Sequence, residues 1–486
     1  MIEAGGQFTF LAWDEYNSEY TMKKKQMPHN SVPQPALAGP PNILLMIADD
    51  MTYRTLGALH NRKVHTPNLN RLVADGCAFT HAFHQGSWTP AVCIASRTML
   101  HTGLTAFHAE SAAETVPVWP EALTQAGYDT HLIGKWHLSQ ARLEQAFHTF
   151  GPLGPAGMFE SSPVNGPAYH RPGPGNRWKP WDKSQKGNWI NIRRYLGHGP
   201  DKIAHSALVW AMAAEEYLST RAGAHQPFCM YVGFHMPHDP RQAERKYVQL
   251  YPQSQQVLPP NYRPCHPFDQ GDFHIRDELL APFPRTPEAV RLHRSEYYAA
   301  VTQLDAAVGR VLAALDKSGY AANTIVIFTS DHGLAVGEHG LMGKQNLYDC
   351  SVRVPLIFRG PRIPVGKIVD VPVYQHSIFS TVHELLGLTV PGTVEFPSLV
   401  ELFYGPQRNM HQALFCRYRD FQRSVRTREH KLIYYPHVDM VQLFDLQRDP
   451  WETTNLSPSA RYTGVRRKLW QVLRQLQRNL DDPLRI

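Results

Sequence analysis

Two acidic clusters each follow a continuous apolar segment of strand length. Asp49 and Asp50 end the first segment, and Asp331 and His332 come directly after the second. Ligand sites in open α/β sheets lie beyond the carboxyl ends of strands, so both clusters are expected at one sheet edge. Adjacent carboxylates repel each other, and a divalent cation keeps both ionised in a partly buried crevice. Oxygen ligands favour Ca²⁺ over Mg²⁺ here, and solvated turn acids are the alternative.

A cysteine and an arginine lie one helical turn apart in the run Cys93-Ile94-Ala95-Ser96-Arg97. The residues that follow are compatible with a helix. The start of a helix presents free backbone N–H groups and the positive end of its dipole, which favour an anion. The run therefore indicates a nucleophile beside an anion site, and a buried free cysteine is the alternative.

Further basic side chains follow other apolar segments. Lys135 and His137 come after one predicted strand, His235 and His238 after another, and Lys344 closes a glycine-rich loop. If the backbone is extended, Lys135 and His137 turn to the same side. A cation, fixed lysines and histidines together suit a tetrahedral oxyanion and proton transfer near neutral pH. Each histidine taken alone is equally compatible with a structural role.

The segments that must position these side chains alternate between apolar strands and helices. The predicted strands are residues 42–48, 128–133, 227–232 and 323–329. The predicted helices begin at Pro67 or span 120–127 and 296–315. This alternation predicts an α/β fold with a large, mainly parallel mixed sheet sandwiched by helices.

The pattern changes after about residue 394. Residues 413–418 and 430–435 predict antiparallel strands, and apolar residues between 465 and 480 fall on one helical face. A smaller α+β subdomain with an antiparallel sheet and a packed helix follows. The predicted organisation is a polar tail at 1–41, a catalytic domain at 42–394 with a Gly/Pro/Trp-rich insertion at about 151–200, and a C-terminal subdomain at 395–486.

The insertion at about 151–200 contains Trp178, Trp181 and Trp189 among lysines and arginines. Long insertions in compact domains are commonly functional lids. The aromatic and basic side chains would form a lip that stacks on the rings of a ligand and attracts anionic groups. An insertion packed on the domain surface is the alternative.

The composition is that of a globular protein, with 43% hydrophobic and 19% charged residues among 486. A net charge of +7 favours an anionic partner. The basic residues are scattered and show no zinc-finger or RNA-binding pattern, which argues against nucleic acid. Six cysteines without a C-x-x-C pair argue against a disulfide framework and a structural zinc site.

The sequence contains no apolar run of membrane-spanning length, and no apolar core of a signal peptide follows Met1 or Met22. These features predict no membrane association and favour a cytoplasmic location. An altered native N-terminus would instead leave a periplasmic or secreted location open. The sequence makes no prediction of oligomeric state.

From residue 42 to about 455 the chain resembles the type I, formylglycine-dependent sulfatases of the alkaline phosphatase superfamily. The matching motifs, in order, are NILLMIADD, TPNLNRL, VCIASR, LTQAGY, GKWHL, HMPHDP, YYAAVTQLD, FTSDHGL, GKQNLYD, VRTREHKLIY and LFDLQRDPWETTNL. Ala95 stands where most members have proline, and His332 stands where asparagine is common.

The resemblance implies an alkaline phosphatase-like fold and hydrolysis of a sulfate ester on a sulfated small molecule or oligosaccharide. It implies that a maturase converts the cysteine at position 93 into formylglycine (3-oxoalanine), whose hydrate attacks sulfur with Ca²⁺ assistance. The implied roles are metal ligation by Asp49, Asp50, Asp331 and His332, anchoring of the nucleophile by Arg97, sulfate binding by Lys135, His238 and Lys344, protonation of the leaving oxygen by His238 or Lys344, and base catalysis by His137, with His235 behind them.

Two other functions are compatible with the same motifs. One is a phosphonate monoester or phosphodiester hydrolase of the same superfamily, also dependent on formylglycine. The other is a non-catalytic glycan-binding homologue in which Cys93 is never converted. Relative rates on an aryl sulfate, a phosphodiester and a phosphonate ester separate the first alternative from a sulfatase.

Overall fold

The computed structural model describes residues 39–154, 179–184, 187–197, 202–221 and 223–484. The predicted tail up to residue 38, and Trp178 with much of the predicted insertion, lie outside the described residues. Pro40–Ile486 forms one compact unit. The predicted domain boundary at residue 394 stays a prediction.

The helices and strands follow the alternation predicted from the sequence. The helices are α1 Pro67–Ala74, α2 Val92–Thr102, α3 Ala106–Ala112, α4 Trp119–Gln125, α5 Gln140–Ala146, α6 Ile192–Leu196, α7 Ser206–Thr220, α8 Arg245–Val248, α9 Pro287–Lys317, α10 Asp349–Val352, α11 Ile378–Leu386, α12 Val400–Tyr404 and α13 Thr463–Asn479. The strands are β1 Asn42–Asp49, β2 Cys77–Phe83, β3 Gly86–Ser87, β4 Asp129–Gly134, β5 Thr149–Leu153, β6 Trp189–Asn191, β7 Ile203–His205, β8 Phe228–Pro237, β9 Thr324–Ser330, β10 Arg353–Arg359, β11 Lys367–Val369, β12 Val373–Tyr374, β13 Leu414–Tyr418, β14 Gln422–Arg426, β15 His430–Tyr435 and β16 Met440–Asp445.

The large sheet has the strand order β11-β2-β10-β9-β1-β8-β4-β5, and β12 also pairs with β2. Strand β1 lies between β8 and β9 and is parallel to both. Strand β10 is antiparallel to β9 and to β2, which makes the sheet mixed. The predicted large, mainly parallel mixed sheet is therefore confirmed.

Strand β1 is buried along its whole length because both faces of the sheet are covered. Leu44 and Met46 pack in a core with residues of α7 and α9. Ile43 and Leu45 point to the opposite face and pack with residues of α4 and α11. Alternation of side chains across a strand thus divides one apolar run between two cores, which is typical of parallel sheets.

Helix α9 begins at Pro287, nine residues before the predicted start at residue 296. The extra turns mix apolar and charged residues, among them the buried Ala289 and Val290, and the predicted helix did not include them. Two local signals mark the true start. Thr286 accepts a hydrogen bond from the Ala289 amide at its side chain, and Pro287 occupies the first helical position.

A second sheet has the order β16-β15-β14-β13-β3, in which β13 to β16 are antiparallel neighbours. Helix α13 packs on it through Leu469 and Leu473, which share a core with Phe415 and Leu432. The predicted antiparallel sheet with its packed helix is confirmed. Among the described residues, the helices all lack the length and apolarity needed to cross a membrane.

Parallel pairing brings the carboxyl ends of four strands to one edge of the large sheet. Ala48 of β1 pairs with Ser330 of β9, and Asp49 pairs with Pro237 of β8. Gly134, the last residue of β4, pairs with Gly233 of β8. The polar residues that follow these strands therefore meet at this edge.

We predict that Gly134→Ala destabilises the protein far more than Gly127→Ala. Both glycines have left-handed φ angles, +85° and +86°. A Cβ at Gly134 would lie 2.1 Å from the Gly233 carbonyl oxygen, whereas one at Gly127 meets nothing within 4 Å. The control variant should lose roughly 1–2 kcal/mol from the φ angle alone, and Gly134→Ala should lose about 1–3 kcal/mol more from overpacking. Urea unfolding measures both, and equal losses would contradict the predicted backbone clash.

Candidate active site

The turn after β1 holds Asp49 and Asp50, whose side chains are fully buried. Asp50 has a left-handed φ of 73°, so the chain reverses sharply there. The Met51 amide donates a hydrogen bond to Ser330 Oγ at 2.9 Å, and the Tyr297 hydroxyl donates to the Asp50 carbonyl at 2.5 Å. Strand β9 and helix α9 thus fix both carboxylates in place.

Arg97 is fully buried and joins three neighbouring elements. Its Nε donates to Asp331 Oδ2 at 2.9 Å, after β9. Its Nη1 donates to the Lys135 carbonyl at 2.9 Å and to the Tyr231 hydroxyl at 2.7 Å. Cys93 lies one turn earlier in α2 and is 3% exposed. The helix therefore presents Cys93 and Arg97 to the sheet edge where the acidic turns meet.

His332 has one ring nitrogen fixed and the other directed at the acidic turns. Its Nδ1 lies 3.0 Å from the Gly333 carbonyl oxygen, which can only accept, so Nδ1 carries the proton. Its Nε2 lies 4.0 Å from Asp49 Oδ1 and 3.6 Å from Asp331 Oδ1, without a hydrogen-bond partner among the described residues. An imidazole whose Nε2 is free in this way is a common type of metal ligand.

The two lysines each pair with one carboxylate of the β1 turn. Lys135 Nζ donates to Asp49 Oδ2, and Lys344 Nζ donates to Asp50 Oδ1 at 2.8 Å. Burial alone would lower the pKa of Lys135 and Lys344, but Asp49 and Asp50 respectively hold both pKa values above the ordinary range. Both lysines are therefore fixed cations at neutral pH.

His137 and His238 are the two crevice histidines whose pKa values are lowered, so both are neutral at neutral pH. Burial, then Lys135 and Arg97, lower the pKa of His137 to about 2. Burial and Lys344 hold the pKa of His238 well below its usual value. The Nδ1 of His238 lies 2.6 Å from the Asp239 carbonyl oxygen and donates to it, which leaves Nε2 as an acceptor.

The backbone at His137 does not meet the condition under which Lys135 and His137 would turn to the same side. That condition was an extended segment, but the φ angle of His137 is 71°, so the chain reverses after Lys135. Gly134, at the end of β4, also has a left-handed φ of 85° and lies against the Gly233 carbonyl. His235 lies behind the crevice, beside Gly154 and the Trp210 ring.

The donor atoms of the crevice fit a divalent cation. Asp49, Cys93 and His332 form one group of candidate ligands within 4.8 Å of one another, and Asp49, Asp50 and His238 form another. Asp49 Oδ1 and Asp50 Oδ2 are buried without hydrogen-bond partners among the described residues. Burial raises the pKa of Asp50 to about 8 although Lys344 opposes it. Lys135, His238 and Arg97 hold the pKa of Asp49 below its ordinary value although burial opposes them, so only Asp50 requires more positive charge than the side chains provide.

Asp331 lies outside both groups of candidate ligands that the described residues contain. Arg97 holds its Oδ2, and its Oδ1 accepts hydrogen bonds from the backbone amides of His332 at 2.9 Å and Asp50 at 3.3 Å. These donors satisfy the carboxylate and orient Oδ1 toward the His332 ring. The predicted ligation by Asp331 would have to use Oδ1.

Sequence patterns gave no indication of several residues that support the site. Gln375 Nε2 donates to the Asp331 carbonyl at 2.9 Å and to Ser96 Oγ at 3.0 Å. Asp277 lies 3.9 Å from Lys344 Nζ and accepts from Gln345 Nε2 at 2.7 Å. Gln375 and Asp277 belong to loops remote in sequence from every motif. The role of the Tyr231 hydroxyl could not be predicted either, because Tyr231 lies in the middle of an apolar strand.

A cleft of about 490 Å³ opens beside His137. Its lining includes Trp88, Thr98, Ser111 and Glu114. These residues offer one aromatic surface and several hydrogen-bonding groups, which are characteristic of sites for polar ligands.

The predicted tryptophan lip is only partly within the described residues. Trp189 is buried and makes an edge contact with the His205 ring, so it packs inside its own β-ribbon. Trp181 is 37% exposed and lies near Arg245. Trp178 lies outside the described residues. The Trp189 side chain is therefore packed within the protein and does not form part of an exposed lip.

An acidic crevice flanked by fixed cations, at the carboxyl edge of a mainly parallel sheet, defines a hydrolase that acts on oxyanion esters. The sulfatase family model matches residues 41–388, and a second model, described as N-sulphoglucosamine sulphohydrolase, C-terminal, matches residues 337–479. The chain therefore belongs to the sulfatase family and is a sulfuric ester hydrolase. The predicted family and enzyme class are confirmed.

Individual relatives cover most of the chain. A choline-sulfatase of Rhizobium meliloti is 28% identical, over 87% of this chain and 83% of its own length. An N-acetylglucosamine-6-O-sulfatase of Bacteroides thetaiotaomicron is 24% identical, over 91% of this chain and 87% of its own length. The solved structure of a protein with its substrate D-glucosamine-2-N,6-O-disulfate has a TM-score of 0.70 at 22% identity, over 91% of this chain and 99% of that chain. At that identity the structural likeness shows the fold alone.

We predict that Arg97→Met destabilises the fold by about 3–5 kcal/mol because it leaves the Asp331 carboxylate buried without its counter-ion. The double variant Arg97→Met/Asp331→Asn removes that charge and should recover most of the loss. Urea unfolding of the two single variants and the double variant measures the coupling. Strictly additive losses would show that the Arg97–Asp331 pair does not hold these elements together.

Proposed function

We propose that the protein hydrolyses a sulfate ester of a carbohydrate, using a formylglycine formed from Cys93 and a bound Ca²⁺. The observation that carries this proposal is the burial of Cys93 at the start of α2, facing two lysines, an arginine and the acidic turns. A cysteine kept only for packing needs no such surroundings. The family membership of the chain supports the same chemistry.

The fixed cations of the crevice would bind the sulfate group and stabilise the charge that develops on it. Lys135 and Lys344 are buried and already oriented by carboxylates, so little reorganisation accompanies binding. Arg97 has one buried nitrogen, Nη2, without a hydrogen-bond partner among the described residues. That nitrogen can donate to an oxygen on the side chain at position 93.

Once hydrated, the aldehyde at position 93 would supply an attacking oxygen and a second hydroxyl whose deprotonation expels sulfate. The base proposed for that proton is His137, which is unprotonated at neutral pH. His238 has its Nδ1 proton directed to the Asp239 carbonyl, so only Nε2 can serve the reaction. Protonation of the leaving oxygen by His238 requires a proton on Nε2, which the negative charge of a bound sulfate ester favours.

The atoms that would hold Ca²⁺ are the carboxylates of Asp49 and Asp50 and the free Nε2 of His332, together with Asp331 Oδ1. Ca²⁺ accepts irregular sets of oxygen ligands, which suits two adjacent carboxylates on a sharp turn. When bound, the ion would neutralise sulfate oxygens and acidify the nucleophile. Lys135 and Lys344 flank the carboxylates and leave Asp49 Oδ1 and Asp50 Oδ2 available.

A carbohydrate is the proposed bearer of the sulfate ester. The cleft beside His137 combines the Trp88 ring with the hydroxyl and carboxylate groups of Ser111 and Glu114, which suit a sugar ring. The relative named for N-acetylglucosamine-6-sulfate and the structure containing a glucosamine disulfate support this class. Because one relative is a choline-sulfatase, choline sulfate is the small substrate against which sulfated sugars should be compared.

The decisive measurement is peptide mass spectrometry of active protein, co-expressed with a formylglycine-generating maturase. We expect formylglycine at position 93 and loss of turnover in Cys93→Ala. Fully active protein with unmodified cysteine would refute the proposed nucleophile. Turnover of sulfated mono- and oligosaccharides should exceed that of choline sulfate, a phosphodiester and a phosphonate ester, and the opposite order would reassign the substrate.

We predict that Ca²⁺ raises the thermal unfolding temperature of protein previously treated with a chelator. At a free concentration 100 times the dissociation constant, the gain is about 2.7 kcal/mol. Asp50→Asn should abolish the shift, whereas Asp277→Asn, which alters a buried acid outside both ligand groups, should retain it. A shift that survives in Asp50→Asn would place the ion elsewhere.

A further inference from the structure

Helix α13 concentrates positive charge on the second sheet. Thr463–Asn479 contains no aspartate or glutamate, and it carries five of the charges that underlie the chain's net +7. The five basic residues are Arg466, Arg467, Lys468, Arg474 and Arg478. In the sequence they look like part of a scattered distribution, but a single helix brings them together.

Three of these arginines form a row on the side of α13 that faces solvent. At 100° per residue, Arg467, Arg474 and Arg478 fall within about 40° of one another and span about 16 Å of helix axis. All three are exposed, as is Lys468 beside them. Leu469 and the other apolar residues bind the opposite side to the sheet.

Much of this positive charge is unfavourable for the helix itself, although Arg478 lies in the last turn, where the dipole favours a cation. Arg466, Arg467 and Lys468 lie close to the helix N-terminus, where the dipole disfavours cations, and no acid occupies the first turn. Arg474 and Arg478 are like charges at positions i and i+4, which repel. Within the described residues, Arg467, Lys468 and Arg474 form no ion pair with an acid. An arrangement that opposes local stability is expected at a functional surface.

We propose that this basic row binds a sulfated polysaccharide and keeps a polymeric substrate on the enzyme between cleavage events. The inference rests on the proposed function, because a sulfuric ester hydrolase of glycans meets linear polyanions as substrates. A linear chain with repeating sulfates matches a straight row of guanidinium groups, which are well suited to bidentate oxyanion binding. Binding would also relieve the repulsion within the row.

The test compares Arg467→Gln/Arg474→Gln/Arg478→Gln with a matched control, Arg62→Gln/Lys63→Gln/Lys317→Gln. The control also removes three exposed positive charges, none of them on α13. Glutamine preserves helix propensity, so α13 should stay folded. On heparin-agarose the α13 variant should elute at clearly lower salt than the control. Its binding to dextran sulfate should lose about two units of salt-dependence slope.

Kinetics provide the second measurement. The α13 variant should cleave a small aryl sulfate at the wild-type rate, and its KM for a sulfated polysaccharide should rise roughly tenfold, on the scale of lost phosphate contacts. Equal elution of both variants, or an unchanged KM for the polymer, would overturn the proposal. So would equal loss of heparin and duplex DNA binding, which would identify a general polyanion surface. Failure of all sulfate ester turnover would instead refute the proposed function, and heparin elution would still report on α13.

Discussion

The ion pair between Arg97 and Asp331 is the interaction on which the active site depends. Neither side chain is exposed to solvent, so each charge is stabilised almost entirely by the other and by nearby hydrogen bonds. The same guanidinium also holds the Lys135 carbonyl and the Tyr231 hydroxyl. One side chain thereby sets the distances between α2, β9, β8 and the turn after β4. The proposed nucleophile position and the proposed metal-binding carboxylates share this single reference point.

The sheet supplies the second constraint. Parallel strands that are buried on both faces of a sheet end at the same edge. The polar residues that follow each strand therefore gather at that edge and not in the apolar core. Sulfate chemistry benefits from this arrangement because cations and carboxylates alternate around one crevice. Lys135 pairs with Asp49, and Lys344 pairs with Asp50. Each pair of opposite charges is therefore buried away from solvent and fixed in position. Electrostatic preorganisation of this kind is the largest general source of catalytic stabilisation.

The sequence predicts the strand-end residues well because a continuous apolar run such as that of β1 indicates a strand buried on both faces of a sheet. The polar residues that follow such a run must then lie at the sheet edge. It also predicts Cys93 and Arg97, which share a helix face through local spacing. Gln375 and Asp277 could not be predicted, since their roles depend on contacts between loops distant in the chain. The reversal at His137 was also not predicted, since a left-handed φ at a histidine is uncommon and its residue type does not mark it.

Burial of Cys93 also has a consequence for the order of events in biosynthesis. In the folded chain this side chain is 3% exposed, on a helix fixed by a buried ion pair. An oxidising enzyme of protein size cannot reach it without unfolding α2. The proposed conversion would therefore compete with folding, and the fraction of converted molecules would be set by which process is faster. Slow folding of the large parallel sheet lengthens the interval in which the cysteine is accessible.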